Sequence, residues 1–286
     1  MSSSETELRN SWASGSLWGM TGRAQVVTFI GAGGKTTCLR AITHEIDSAG
    51  HRVIATTTTK VFPEESMKGW KNPNPPLYEQ EGVCFWYGDV MEESGKWIGP
   101  PIQAVDAAIA SARTVPDFPE CKCKNCPPLA HNLYWVIEGD GAKGLKLKCW
   151  EPHEPQIPQQ TDCVVLVLDG GLWGEVLQAE QVHRPNGCLD LLGHVWNAEK
   201  AWRYFLRSPV FAPQYGQMSW VILLNSPGLS ADNKEPVCIK DALLALCHRW
   251  AEIQPDFDDL TKFRSKHLRI AAGDAKEGIL QWFDLW

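Results

Sequence analysis

No run of apolar residues in the 286-residue chain reaches the roughly 18 needed for a membrane-spanning helix. Positive charge is in deficit: Lys and Arg number 27 against 34 Asp and Glu, a net charge of −7. A basic face, which neutralises phosphates along a nucleic acid, is therefore not expected, and neither a nucleic-acid nor a membrane partner is. The opening MSSSETELRNSWASGSLWGM has no basic start followed by an apolar core, so it does not read as a secretory signal, and a cytoplasmic location is expected. Internal repeats and heptads are also missing. What is present is an ordinary globular composition, 44% hydrophobic and 21% charged, enough to bury a core without staples. The ten cysteines are scattered and, with no export signal, read as reduced thiols. Cys121, Cys123 and Cys126 differ: they sit in a Pro- and Lys-rich loop with His131 nearby, a candidate soft-metal or redox cluster one ligand short of a closed zinc site.

Along the chain, residues 1–24 are polar and read as a flexible N-terminal arm. QVVTFI at 25–30 reads as a buried strand, GAGGKTT at 31–37 as a turn, and the following segment carries Leu39, Ile42 and Ile46 at helical spacing before Gly50. HRVIATTTTK is a second strand, so the segment forms a βαβ unit. Residues 83–99 suggest a β-hairpin turning near Glu92–Gly95, and residues 104–113 a helix. Further strands are expected at 132–144, running into Glu138, Asp140 and glycines, and at 163–170 and 218–225, with a short last one at HLRIAAG, and helices over 188–208 and 237–253. The expected fold is α/β: a mainly parallel sheet flanked by helices, P-loop NTPase-like, with a small β-hairpin insertion. A single domain over 25–286 would carry insertions at about 61–100 and 115–131.

The chemistry concentrates at GAGGKTT. Glycines let successive N–H groups face one concavity, and the helix that follows aims its unsatisfied N–H groups and dipole at the same point. Gly31, Ala32, Gly33, Gly34, Lys35, Thr36 and Thr37 are thus candidate nucleotide ligands, with Lys35 reaching the β- and γ-phosphates and Thr36 offering its hydroxyl to Mg²⁺. The loop is shorter than G-x-x-x-x-G-K-[ST], whose first glycine would fall on Phe29. YWVIEGDG presents Glu138 and Asp140 at a strand end. One carboxylate would hold the Mg²⁺ shell and the other orient a nucleophile or sense the γ-phosphate. With Lys35 they form the candidate catalytic set, and Thr36, Asp140 and Thr57 the candidate metal set. The threonines 56–59 end a strand on the same side of the sheet. Lys60, Lys148, His153, His183 and Arg184 are candidate contacts for an anionic second substrate.

VVTFIGAGGKTT, VIATTTTK, EGDGAKGLKLKCWEPHEPQIP and VHRP, in that order, resemble the YqeC-type accessory proteins. The loop alone is similar to the GTNGKTT-type loops of Mur-type peptide ligases. The family resemblance implies a Mg²⁺-dependent protein binding ATP or GTP that assists selenium-dependent molybdenum hydroxylases, with the molybdenum cofactor or a hydroxylase as partner. It carries over to Gly31–Thr37, Thr56–Lys60, Glu138–Gly141, Lys148, His153, Glu154, Pro155 and His183–Pro185. Family members tend to end the late strand in an N-K-x-D-like element, whereas here it reads Asn225-Ser226-Pro227. A nucleotide-operated switch, a Mur-like ligase or kinase, and a metal- or selenium-handling carrier centred on the cysteines are the alternatives.

Overall fold

The computed structural model describes residues 12–76, 82–114, 133–228, 237–253 and 265–286. In chain order these form β1 (Ala13–Gly15), α1 (Leu17–Met20), β2 (Val26–Gly31), α2 (Lys35–Ser48), β3 (Arg52–Thr57), β4 (Lys60–Val61), β5 (Lys68–Lys71), β6 (Val83–Tyr87), β7 (Asp89–Val90), β8 (Trp97–Ile98), α3 (Ile102–Thr114), β9 (Leu133–Glu138), β10 (Leu147–Lys148), β11 (Cys163–Asp169), β12 (Val182–His183), α4 (Ala198–Leu206), β13 (Ser219–Asn225), α5 (Val237–Ile253), β14 (His267–Asp274) and β15 (Ile279–Asp284).

Ten strands make one sheet in the order β1-β15-β14-β13-β11-β2-β9-β3-β6-β5. It is parallel from β5 through β14; β15 runs antiparallel to β14, and β1 antiparallel to β15. Strands buried on both faces need no alternation, which is why VVTFIG, CVVLVLD and SWVILLN read as continuous apolar runs. On one face α2 lays Cys38, Leu39, Ile42 and Ile46 against Val27, Phe29, Val165 and Val167, joined by Leu17 and Met20 of α1. On the other, α3 covers Trp135 and Ile137 with Val105 and Ile109. Trp202, Phe205, Leu243 and Leu246 of α4 and α5 cover Leu166 and Ile222. Fully burying each such aliphatic chain contributes roughly 1.5–3 kcal/mol. No helix among the described residues is long and apolar enough to cross a membrane.

Several expectations change. Over its described part the N-terminal arm is docked: β1 pairs with β15, and the backbone N–H groups of Leu17 and Trp18 donate to the Glu45 carboxylate at 3.1 and 2.9 Å. Val83–Tyr87 is not an arm of the hairpin. It is β6, a parallel strand of the main sheet, because Cys84, Phe85 and Trp86 have helices to cover them on both faces. The hairpin is the smaller β7–β8 pair, closed where the Gly95 N–H donates to the Met91 carbonyl at 2.8 Å, and β4 adds to it as a third strand. The helix expected over 188–208 is broken. A 3-10 segment runs Pro185–Leu191, and α4 restarts at Asn197, whose side chain caps the Lys200 N–H. The insertion at 115–131, with Cys121, Cys123, Cys126 and His131, lies outside the described residues.

Candidate functional site

The register brings three strand ends together. Phe29 of β2 lies opposite Glu138 of β9, and Glu138 lies opposite Thr57 of β3. On the other side Gly31 lies opposite Val167 of β11, and Asp169 opposite Asn225 of β13. The turn between β2 and α2 therefore sits at the middle of the sheet's carboxyl edge, where ligands of open α/β sheets bind.

The turn is held by its own amides. The Ala32 N–H donates to the Val167 carbonyl at 2.9 Å and the Gly33 N–H to the Leu145 carbonyl at 3.1 Å. The Gly31 N–H donates to both carboxylate oxygens of Asp140, at 3.1 and 3.0 Å. The donors left open are thus not those of the first glycines, as the sequence suggested, but those of Gly34, Lys35, Thr36 and Thr37. These have no partner among the described residues, and the first helical bond of α2 runs from Cys38 to Gly34. Gly33 and Gly34 are required as glycines. Both have left-handed φ, 79° and 115°, and a Cβ on Gly33 would lie 2.2 Å from the Asp169 nitrogen. A Cβ on Gly34 would lie 2.5 Å from Asn225 Nδ2. The Asn225 amide donates to the Gly33 carbonyl at 2.9 Å and accepts from the Ala275 N–H at 3.2 Å. Asn225 is a brace beneath the turn, a role the sequence reading did not assign it.

Lys35 is buried, its ammonium donating to the Gly31 carbonyl at 2.7 Å and lying 3.2 Å from Asp140 and 3.9 Å from Glu138. Thr36 is exposed, and its hydroxyl donates to Glu138 Oε2 at 3.0 Å. Burial raises the Glu138 carboxyl above the usual carboxylate range; Lys35 and the Thr36 hydrogen bond oppose this. Thr36 and Glu138 give paired hard oxygens beside the free amides, the donor chemistry Mg²⁺ prefers. Among the described residues no group of three or more His, Cys, Asp or Glu side chains is placed to hold a metal.

The other expected metal ligands stand elsewhere. Asp140 is fully buried and saturated: besides Gly31 and Lys35 it accepts from Trp150 Nε1 at 2.8 Å and lies 3.7 Å from Lys148. Its oxygens structure the turn and do not open toward a cation. Thr57 is also buried, donating to the Glu138 carbonyl at 2.9 Å and accepting from the Thr59 N–H at 3.0 Å. The threonine run is largely internal, since Thr56 donates to the Trp86 carbonyl and Thr58 to that of Gln156.

The expected basic pocket is compensated from within. Lys148, fully buried, donates to Glu154 at 3.0 Å and to the Gly141 carbonyl at 2.5 Å. Arg184, in a left-handed backbone conformation at φ 61°, pairs with Glu151 at 2.7 Å and Glu154 at 2.9 Å. A continuous file of alternating charge results: Lys35, Asp140, Lys148, Glu154, Arg184. Lys148 is spent on internal partners, and Arg184 is ion-paired through its Nη1. His183 is half-buried, its imidazole pulled below the usual range by burial and by nearby Lys148 and Arg184. His153 is exposed, 3.6 Å from Glu151, and Lys60 is exposed on the small sheet with β8. Neither joins the file.

Cys149 and Cys188 form a disulfide, with Cα atoms 6.3 Å apart, so the expectation of reduced thiols fails for this pair. It ties the chain just after Lys148 to the chain just after Arg184. The buried thiols of Cys38 and Cys163 are pushed up to about 12 by burial and are unreactive.

A family model described as YqeC protein matches residues 27–186, more than half of the chain. The uncharacterized protein YqeC of Escherichia coli (strain K12) is 30% identical over 178 residues, covering 60% of this chain and 62% of that protein. The chain thus spans less than two thirds of the relative's length. No solved structure matches.

Proposed function

The chain belongs to the YqeC family, and from that premise we propose that it is a P-loop protein binding a nucleoside triphosphate with Mg²⁺. The observation that carries the reading is four consecutive unpartnered N–H groups, Gly34 to Thr37, at the start of a 14-residue helix beside a buried ammonium. An anionic phosphate chain satisfies such donors and the helix dipole together. In this reading Thr36 and Glu138 hold the cation, which neutralises charge on the phosphates. Lys35 turns from the Gly31 carbonyl toward the phosphates. Asp140 keeps the turn in shape through Gly31. Phosphoryl chemistry here rests on positioning and electrostatics. The resemblance drawn from the sequence supplies the process served: maturation of selenium-dependent molybdenum hydroxylases, with nucleotide turnover coupled to cofactor modification or insertion.

One observation favours a second reading, a nucleotide-operated switch acting on a protein partner. Lys35 is the first member of the charge file that ends at Arg184 on another loop. A nucleotide that draws Lys35 away from Asp140 changes the balance along the file.

The test is thermal unfolding with and without Mg-ATP or Mg-GTP. At a ligand concentration a hundred times Kd, binding stabilises by about 2.7 kcal/mol. Lys35→Ala is expected to abolish that shift. A Lys35→Ala protein that keeps the wild-type shift refutes the phosphate site. Turnover that rises with molybdenum cofactor favours the enzyme, and turnover that rises only with a protein partner favours the switch.

A further inference from the structure

A second hollow begins where the phosphate-facing amides end. Thr37, the last of the four residues with free N–H groups, also lines a cavity of about 430 Å³ between α2 and the β14–β15 turn. Its walls are Arg40, Ala41, His44 and Glu45 along α2, with Ser16, Lys276, Glu277 and Gly278 opposite. The volume falls within the range of sites that enclose small organic ligands.

The charged groups around it are already matched. Arg40 forms a two-pronged pair with Glu64 at 3.0 and 2.8 Å. Glu45 accepts the N–H groups of Leu17 and Trp18. Lys276 lies 3.5 Å from Glu277. His44, the remaining titratable wall residue, has its Nδ1 3.3 Å from Ser48 Oγ. Each of these wall groups already has a polar partner, and the hollow suits a neutral ring system with hydrogen-bonding edges. The rim is built to persist. Asp274, buried, accepts the N–H groups of Lys276 and Glu277 at 2.9 and 3.2 Å, fixing the turn, and the Asn225 brace ties Ala275 to the phosphate turn.

We propose that this cavity holds the nucleoside half, base and ribose, of the nucleotide whose phosphates lie on Gly34–Thr37. The inference rests on the nucleotide reading above and adds where the base goes. It also removes Asn225 from base recognition, since both ends of its amide are spent on the protein.

The experiment compares Mg-ATP and Mg-GTP with Mg-tripolyphosphate, which carries the phosphates and no nucleoside, by calorimetry on the full chain. The wild type is expected to bind at least one nucleotide about tenfold or more tighter than tripolyphosphate. Ala41→Trp, which fills the cavity from one wall, is expected to erase that preference and leave tripolyphosphate affinity unchanged. An Ala41→Trp protein that keeps the preference overturns the proposal, as does a wild type that binds all three ligands equally. A wild type that binds none of them, or whose tripolyphosphate binding survives Lys35→Ala, overturns the phosphate site itself. Should Ala41→Trp not fold, acetylation of Lys276 in the wild type decides. Protection by nucleotide and not by tripolyphosphate supports the cavity, and equal labelling with both overturns it.

Discussion

Replacing Lys148 by Met keeps the aliphatic stem and deletes the ammonium from the middle of the charge file. The side chain is fully buried, so water cannot take the ammonium's place. Removing one partner of a buried ion pair costs about 3–5 kcal/mol, because the other charge stays behind unpaired. The geometry puts this case at the low end. Asp140 keeps Lys35 at 3.2 Å, the Gly31 N–H and Trp150 Nε1, and Glu154 keeps Arg184 at 2.9 Å. A loss of about 3 kcal/mol is expected, which for a chain of this size lowers Tm by about 5 °C. Urea unfolding at neutral pH measures it, with the slope m held fixed. Adding Glu154→Gln neutralises the carboxylate that has lost Lys148, and Arg184 still has Glu151 at 2.7 Å. The double variant should therefore recover about half of the loss. A loss below about 1 kcal/mol, or a double variant no better than the single, refutes the view that these charges hold one another in place.

The remaining expectations concern the frame around the site. Reducing the Cys149–Cys188 disulfide, or making Cys188→Ser, opens a loop of 39 residues and should cost about 3–4 kcal/mol by loop entropy, read as a reductant-dependent urea midpoint absent in the variant. Asn225→Ala strands the Gly33 carbonyl and the Ala275 N–H; unfolding should show a loss of roughly 1–3 kcal/mol, and nucleotide binding should weaken in the same protein. The Asp190 carboxyl is held down at about 2 by its two-pronged pair with Arg207, so its stabilisation is present at neutral pH and lost as pH falls through that value. Both side chains are more than a third exposed, which discounts the pair to at most about 1 kcal/mol. Asp190→Asn should show that deficit at pH 7 and converge on the wild type in acid; an equal deficit at every pH would contradict the assignment.

The elements legible in the sequence are those whose signal is local. β2, the glycine turn and α2 follow from an apolar run, a glycine cluster and helical spacing that ends at Gly50. The positions of Thr36 at the start of a helix and of Glu138 at a strand end were legible as well. β6 was misjudged because five apolar residues before a turn fit a hairpin arm as well as an inner strand, and only the helices that cover it decide. The roles of Asp140 and Lys148 were not legible, because each depends on partners supplied by other segments. Spacing made Asp140 look like a metal ligand, and burial made it a structural acceptor. Asn225 drew notice as a broken base-reading motif, whereas its position opposite Asp169, next to the glycine turn, sets its work. The Cys149–Cys188 bridge joins residues 39 apart with no sequence pattern that pairs them.

The bracing of the glycine turn reaches across most of the polypeptide. The match to the family model ends at residue 186, yet the amide that grips the turn is at 225 and the rung it hangs from is at 275. A polypeptide cut to 27–186 would retain every recognisable signature and lose the scaffold that shapes them, since β13 and β14 supply the flank on which β11 and the turn lean. The family match thus lies within the first two thirds of the chain, and the residues that brace its glycine turn lie in the last third.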